Sequence, residues 1–444
     1  MEIPYHISEI LNRLEEAGYR AYIVGGCVRD SLMGLVPHDY DITTSALPED
    51  TERVFADCRI IETGIKHGTV TVLYKGIGVE ITTFRVDGEY TDSRRPDSVT
   101  FTDRIEEDLS RRDFTINGIA YNPEKGLTDP FGGQQDISAG VIRCIGDPER
   151  RFSEDSLRIL RALRFSSVLG FVIENNTAAA IREHKADLDN VSRERVFSEL
   201  TRLLCGKDVR RVMMEFPEVF AQILPPLKAM IGYEQCSKYH NSDLYEHTAR
   251  AVEAAPAEPA MRLAMLFHDM GKPACKSVGE DEQFHFYGHA EESVKIADEL
   301  LRELKSSNEL RERIREIVRY HDIPVETSPK YIRRALSKHG IERFRDIMYS
   351  HMADDSAKAD FVLPRIETAR LALELAEEIA AQKPCLTLKS LAISGRDLLE
   401  FLPPSRRIGE ILSTLLGEVV EEKLPNEKNA LLKRARELAA SDLQ

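Results

Sequence analysis

The chain has 444 residues, 42% apolar and 30% charged, with a net charge of −15. That length exceeds the roughly 250–300 residues at which one core stops growing, so two or more domains are expected. No apolar run reaches the ~18 residues of a membrane span, the first residues lack the basic start and apolar stretch of a secretory signal, and seven scattered cysteines without a CxxC exclude a disulfide scaffold or thiolate zinc site.

Residues 4–19 carry Ile7, Ile10, Leu11 and Leu14 at helical spacing, and 21–24 is a short β-like run ending at Gly25-Gly26. A helix is expected over 28–35, and strands over 40–44, 69–74 and 78–85. Residues 86–100 are polar and turn-rich, which predicts a mobile loop. Short pieces over 112–123 and 128–146, broken at Asp129-Pro130 and Gly132-Gly133, complete an α/β block. From Phe152 the pattern turns helical: 153–168, 176–189, 192–206, 208–216 and 218–225, with Pro225-Pro226 as a hinge candidate. Further helices are predicted over 243–255, 259–271, 289–305, 308–320, 330–338, 341–353 and 362–382. A last helical stretch, 395–440, is broken by Pro403-Pro404 and Pro425.

The acidic balance argues against nucleic acid as a partner unless local basic patches offset it. Residues 143–164 carry six arginines against four acids, and 193–211 carry six basic against three acidic side chains.

Four motifs suggest nucleotide chemistry. Gly25 and Gly26, between a strand and a helix, let backbone N–H groups approach phosphate closely, with Arg29 one turn on to reach a triphosphate. Asp39 and Asp41, two apart on an expected strand, face one side. Converging carboxylates need a cation, and Mg²⁺ takes carboxylates together with phosphate oxygens. Glu80 on the strand GVEITTF is either a third carboxylate or a surface strand glutamate. In RRDFTINGIAYNP, Arg112 and Asp113 are placed to hold ribose and phosphate, with Asn117 nearby. In EDSLRILRALRF, Asp155 and Arg158 are three apart on an expected helix and can pair. Cytosine and adenine both set an amino donor beside a ring-nitrogen acceptor, so an Asp acceptor beside an Arg donor selects them over guanine and uracil. Arg161 and Arg164 continue the basic stripe towards phosphates.

Residues 24–44, 111–121 and 151–165 together resemble the bacterial class II tRNA nucleotidyltransferases, the CCA-adding enzymes and their poly(A) polymerase relatives. The likeness runs through about residue 230. It implies a polymerase-β-like head, a helical neck that reads the base and a helical body that grips tRNA. Asp39 and Asp41 would then be Mg²⁺ ligands. Gly26, Arg29 and Arg112 would meet the incoming nucleotide, and Asp155, Arg158, Arg161 and Arg164 would form the CTP and ATP pocket. Gly118 departs from the alanine usual after the motif asparagine.

Eight of the twelve histidines lie between His240 and His351. LAMLFHDMGKP ends an apolar helix on His268 and Asp269. His247, His289, His321 and Asp354 flank it, with Asp355 competing for the role of Asp354. Imidazole and carboxylate without thiolate suit Mn²⁺, Mg²⁺, Ni²⁺ or Fe²⁺ better than structural zinc. This stretch, about 240–360, resembles an HD-domain metal phosphohydrolase. That likeness implies His247, His268, Asp269 and Asp354 as the minimal set, with His289 and His321 as extra ligands. Residues 386–426 resemble the C-terminal segment of HD-containing bacterial members.

The expectation is a multidomain cytoplasmic protein. An α/β nucleotidyltransferase head (1–145) is followed by an all-α neck and body (146–235), an α-helical HD domain (236–360) and a helical tail (361–444). It adds C and A to tRNA without a template; DNA and membranes are not expected as partners, and the oligomeric state is left open. Alternatives are a poly(A) polymerase, an enzyme adding only A or only CC, an HD hydrolase with a spent RNA-binding head, and a non-catalytic RNA scaffold.

Overall fold

Ile7, Ile10, Leu11 and Leu14 are all buried along one face of α1 (Tyr5–Glu16), as their spacing requires. They cover a mixed sheet built from β1 (Ala21–Val24), β2 (Asp41–Thr44), β3 (Arg59–Gly64), β4 (Thr69–Tyr74), β5 (Ile77–Thr83), β8 (Ala120–Asn122) and β9 (Gly126–Thr128), in the order β3-β4-β5-β2-β1-β8-β9. Only β2 and β5 run parallel; the other neighbours are antiparallel. β4 alternates buried and half-buried residues, so Val70 and Val72 enter the same core as α1. Between the strands lie α2 (Gly26–Leu32), α3 (Pro48–Val54), α4 (Ile105–Ser110) and α5 (Gly133–Ala139).

The structure, a computed structural model, describes residues 1–88, 98–280 and 283–440. Most of the loop expected over 86–100 therefore lies outside the described residues. Its described ends pair as a short hairpin, β6 (Arg85–Asp87) with β7 (Val99–Phe101).

The chain divides into two units, Met1–Pro225 and Pro226–Gln444, at the proline pair. In the first, the sheet is followed by α6 (Pro148–Glu154), α7 (Leu157–Leu169), α8 (Asn175–His184), α9 (Arg193–Leu204), α10 (Val209–Glu215) and α11 (Pro217–Ile223), with a small parallel pair, β10 (Val141–Ile142) and β11 (Val172–Ile173). The second unit is helical: α12 (Leu244–Ala254), α13 (Pro259–Phe267), α14 (His289–Glu303), α15 (Asn308–Tyr320), α16 (Pro329–Ser356), α17 (Pro364–Ala381), α18 (Gly395–Leu398), α19 (Arg406–Val420) and α20 (Lys428–Ala440). A two-stranded hairpin, β12 (Ser277–Val278) with β13 (Phe284–His285), interrupts it.

Two local differences from the sequence expectation matter for the site. Asp39 does not lie on a strand; β2 begins at Asp41. The helix expected over 153–168 is two helices. Asp155 has extended backbone (φ −149°, ψ 100°) and its Oδ1 accepts the N–H of Leu157 at 3.2 Å, so a carboxylate that could continue one helix caps the next instead. The helices expected over 330–338 and 341–353 are the two limbs of α16, broken at Gly340, whose φ of 72° suits glycine.

Candidate functional site

The head cleft is built from the sheet edge outwards. β2 and β5 pair with Ile42 beside Ile81, which sets Asp41, the first residue of β2, beside Glu80 in the middle of β5. Val79 and Ile81 point into the core, so Glu80 faces the other way, towards solvent, as does Asp41. Asp39 follows on the exposed approach to β2. The carboxyls sense one another. Crowding by protein raises Glu80, and Asp41 and then Asp39 raise it further. Asp41 is also raised by its surroundings, with Arg112 opposing and Asp39 adding to the rise.

Gly25 opens α2 at φ 77°, and a Cβ there would stand 3.0 Å from Arg112 Nη1. The glycine therefore admits the Arg112 side chain to the turn. Arg29 Nη1 donates to Asn117 Oδ1 at 2.7 Å, Asn117 Nδ2 donates to Asp113 Oδ1 at 3.0 Å, and Arg161 Nε donates to Asp113 Oδ2 at 2.8 Å. Burial pushes the Asp113 carboxyl up. The Arg161 charge and the hydrogen bonds from Asn117, Arg161 and the Phe114 N–H outweigh that and hold it at about 2. Arg164 Nε donates to the buried Glu199 at 2.6 Å. The guanidinium carbons of Arg164, Arg29 and Arg161 lie 4.0, 5.0 and 5.5 Å from the centre of the Phe165 ring, which meets Phe114 edge-on.

All ten residues expected to handle nucleotide line one cleft of about 460 Å³, and Asp41 reaches it from the strand end. Asp39 and Glu80 stand outside its lining. The pairing expected between Asp155 and Arg158 is not the one formed. Asp155 Oδ2 accepts from Arg195 Nη2 at 2.9 Å, and Arg158 Nη1 donates to Glu154 Oε2 at 2.8 Å and to the Arg151 carbonyl at 3.1 Å. The helix break at Asp155 causes this, because residues 155 and 158 no longer follow one helical face. Arg161 and Arg164 likewise sit in ion pairs with acids of other elements. Leu157, Phe165 and Arg195 also line the cleft and were not expected there. Arg195 falls in the basic patch 193–211; Phe165 only closes the motif string.

The second unit brings the six expected metal-ligating residues together, all buried. His247 Nε2 lies 3.1 Å from Asp354 Oδ1, 3.3 Å from His268 Nε2 and 3.4 Å from Asp269 Oδ2. His289 Nε2 and His321 Nε2 lie 3.3 and 3.6 Å from Asp269 Oδ1 and 3.3 Å from each other. In each of the four rings Nδ1 meets a backbone carbonyl: Ala357 for His247, Met265 for His268, Phe286 for His289 and Val318 for His321. A carbonyl only accepts, so Nδ1 carries the proton and Nε2 turns a lone pair inwards. Asp354 Oδ1 is buried and accepts no hydrogen bond. Where Nε2 is unprotonated its lone pair faces a carboxylate across about 3 Å, so a metal ion or a proton must lie between them. Two triads, His247–His268–Asp354 and His268–Asp269–His321, each bring ligand atoms within 4.8 Å of one another. In the protein alone, burial lowers His268, but Asp269 and Asp354 prevail and raise it to about 9. Lys272 pairs with Asp269 and Lys358 with Asp354, each at 2.6 Å.

No helix of the described residues is long and apolar enough to cross a membrane. Residues 21–143 match the family model of the poly A polymerase head domain. Residues 170–231 match the probable RNA and SrmB-binding site of polymerase A, and 286–435 match a putative tRNA nucleotidyltransferase domain 2. The CCA-adding enzyme of Lactobacillus delbrueckii subsp. bulgaricus is 34% identical over 95% of this chain and 95% of its own. That of Lactiplantibacillus plantarum is 34% identical over 97% and 96%. The crystal structure of the Bacillus stearothermophilus CCA-adding enzyme in complex with CTP superposes with a TM-score of 0.76 at 32% identity, covering 99% of this chain and all of that one. A likeness that spans the whole chain, and whose motif residues converge on one cleft, places this protein in the CCA-adding enzyme family, the tRNA nucleotidyltransferases.

Proposed function

We propose that the protein extends tRNA 3′ ends with C and A from CTP and ATP, and that the head cleft is where it does so. The observation that carries this is convergence. The Gly25-Gly26 turn, Asp41, Arg112 and the base-reading Asp155 and Arg158 come from four separate segments and line one cleft. The terminal hydroxyl of the RNA attacks the α-phosphorus, the bond to pyrophosphate breaks, and the hydroxyl proton leaves. Asp39 and Asp41 would hold Mg²⁺, with Glu80 beside them; their exposed, mutually repelling oxygens suit a hard cation. When bound, Mg²⁺ offsets triphosphate charge and lowers the pKa of the attacking hydroxyl. Arg29, Arg112, Arg161 and Arg164 bind the triphosphate. The acids that pair with Arg161 and Arg164 fix their planes before substrate arrives, which removes ordering cost from binding. Asp155 and Arg158 face the base edge, and Arg195 and Glu154 orient them. Segments 1–145, 146–235, 236–360 and 361–444 serve as head, neck and body, HD domain and tail.

The test uses transcripts ending at the discriminator base, at C and at CC, with CTP, ATP or both. Growth by three on the first, needing both nucleotides and then stopping, is expected. Addition of A alone, of CC alone, or of long A tails would replace full CCA addition, and no incorporation would overturn the head assignment.

A second reading rests on the histidine cluster. Its inward lone pairs and the orphaned Asp354 oxygen favour a divalent-metal phosphohydrolase of the HD type in the second unit. His247, His268, Asp269 and Asp354 would hold the metal, joined by His289 and His321. Phosphate release that survives loss of Asp39 and Asp41 and stops on chelation tests it.

A further inference from the structure

The metal reading accounts for the floor of the second unit's cleft but not for its walls. The cleft, of about 350 Å³, falls in the usual range for a small-molecule site. Asp269, His289, His321 and Asp354 form its floor, with the ammonium groups of Lys272 and Lys358 beside them. One wall is the segment that leaves β13. There the His285 and Tyr287 rings stack, 5.5 Å between centres and 9° from parallel. Tyr287 is 81% exposed although it lines the cleft. A large aromatic ring held flat by a neighbour and left open to solvent is stacking surface whose outer face no described residue occupies.

That surface is fixed in place by the same backbone that builds the metal site. The Phe284 N–H donates to the Cys236 carbonyl at 3.2 Å, the hydroxyl of Ser277 donates to the His285 carbonyl at 3.1 Å, and the Phe286 carbonyl accepts from His289 Nδ1 at 2.8 Å. Tyr287 is thus two residues from a floor ligand on a segment anchored at three points. A second aromatic, Tyr239, also lines the cleft and carries the Arg365 guanidinium 5.5 Å from its ring centre. Cations at the floor suit a phosphate, and an open, preoriented ring suits a flat base carried on the same molecule.

We propose that Tyr287, backed by His285, is a base-stacking platform, and that the cleft takes phosphate esters of nucleosides in preference to esters that carry no base. This rests on the reading of the cluster as a phosphohydrolase site and adds to it the group that selects the substrate. Stacking one base on one aromatic ring strengthens binding by roughly tenfold, which is the difference in affinity expected here.

The experiment is calorimetric titration of the full chain, loaded with Mn²⁺, in a D155A/R158A background that removes the base-reading pair of the head. Adenosine 5′-monophosphate and ribose 5-phosphate are the probes. Adenosine 5′-monophosphate should bind about tenfold tighter than ribose 5-phosphate. Tyr287→Leu should abolish that difference by weakening only the nucleotide, and Tyr287→Phe should restore it. Equal binding of the two probes, or a Tyr287→Leu protein that keeps the difference or loses both probes alike, overturns the platform. A separate Mn²⁺ titration reports on the metal. If no Mn²⁺ binds, the phosphohydrolase reading falls. The two probes are then compared in the metal-free protein, where Lys272, Lys358 and Arg365 remain to meet the phosphate.

Discussion

The two clefts hold charge in opposite ways. In the head, nearly every cation has a protein acid assigned to it: Arg161 has Asp113, Arg164 has Glu199, Arg158 has Glu154, and Arg195 has Asp155. In the second unit, four imidazole Nε2 atoms crowd round two carboxylates, offset by Lys272, Lys358 and, without a metal, a proton on His268. The head is a preassembled anion receptor whose geometry is complete before substrate binds. The histidine cluster is a cation receptor in which a proton on His268 stands where a metal ion would. Paired charges tolerate an empty site; facing lone pairs do not.

The sharpest way to break this comparison is to remove one group from each cleft and look for crosstalk. Asp41→Ala should lower nucleotide incorporation by at least about 10³-fold, the scale on which a preorganised electrostatic partner acts. Binding of tRNA should stay within about twofold and metal bound at the histidine cluster should not change. Comparable activity in the variant would remove Asp41 from the machinery. Conversely, His268→Ala should lower Mn²⁺ affinity in the second unit by about 100-fold or more, read by calorimetry, since it takes a ligand from both triads. It should leave CCA addition at its original rate.

Smaller effects sharpen the account of the head. Breaking the buried Asp113–Arg161 pair with Asp113→Asn should cost about 3 kcal/mol in denaturant unfolding at pH 7. The folded-state value of Asp113 is depressed to about 2, so its contribution is full above its unfolded value near 3.9 and is lost as pH falls through about 2. The gap between parent and variant should therefore hold from pH 7 to 5 and close below pH 4; a gap independent of pH would assign the cost to packing. Last, Arg195→Ala frees one oxygen of Asp155, the residue proposed to read the base. Discrimination of CTP and ATP against UTP and GTP should fall by about tenfold, about 1.4 kcal/mol, in kcat/KM. An unchanged ratio would make that ion pair merely structural.

Much of this was legible in the chain itself. The GG turn, the DxD, Glu80 and the two basic motifs named most head residues later found in or beside the cleft, though not Leu157, Phe165 or Arg195, because chemistry that grips phosphate and metal uses few residue types at short spacing. The histidine density did the same for the second site, including Asp354. The inward turn of the rings was not legible, since it depends on the carbonyls of Ala357, Met265, Phe286 and Val318. Nor was the break at Asp155, where helix propensity and a capping carboxylate compete and the cap wins.

By itself, then, the sequence determined the α/β head followed by a helical chain and most of the residues that meet in the two clefts. Those depend on local periodicity and residue type. Tertiary structure alone decided the partners: Asp155 with Arg195 rather than Arg158, Arg164 with Glu199, three guanidiniums around Phe165, and an open Tyr287 beside a metal-ready floor. Each of these joins different elements or different turns, and their meeting is set by how helices and strands pack rather than by spacing along the chain.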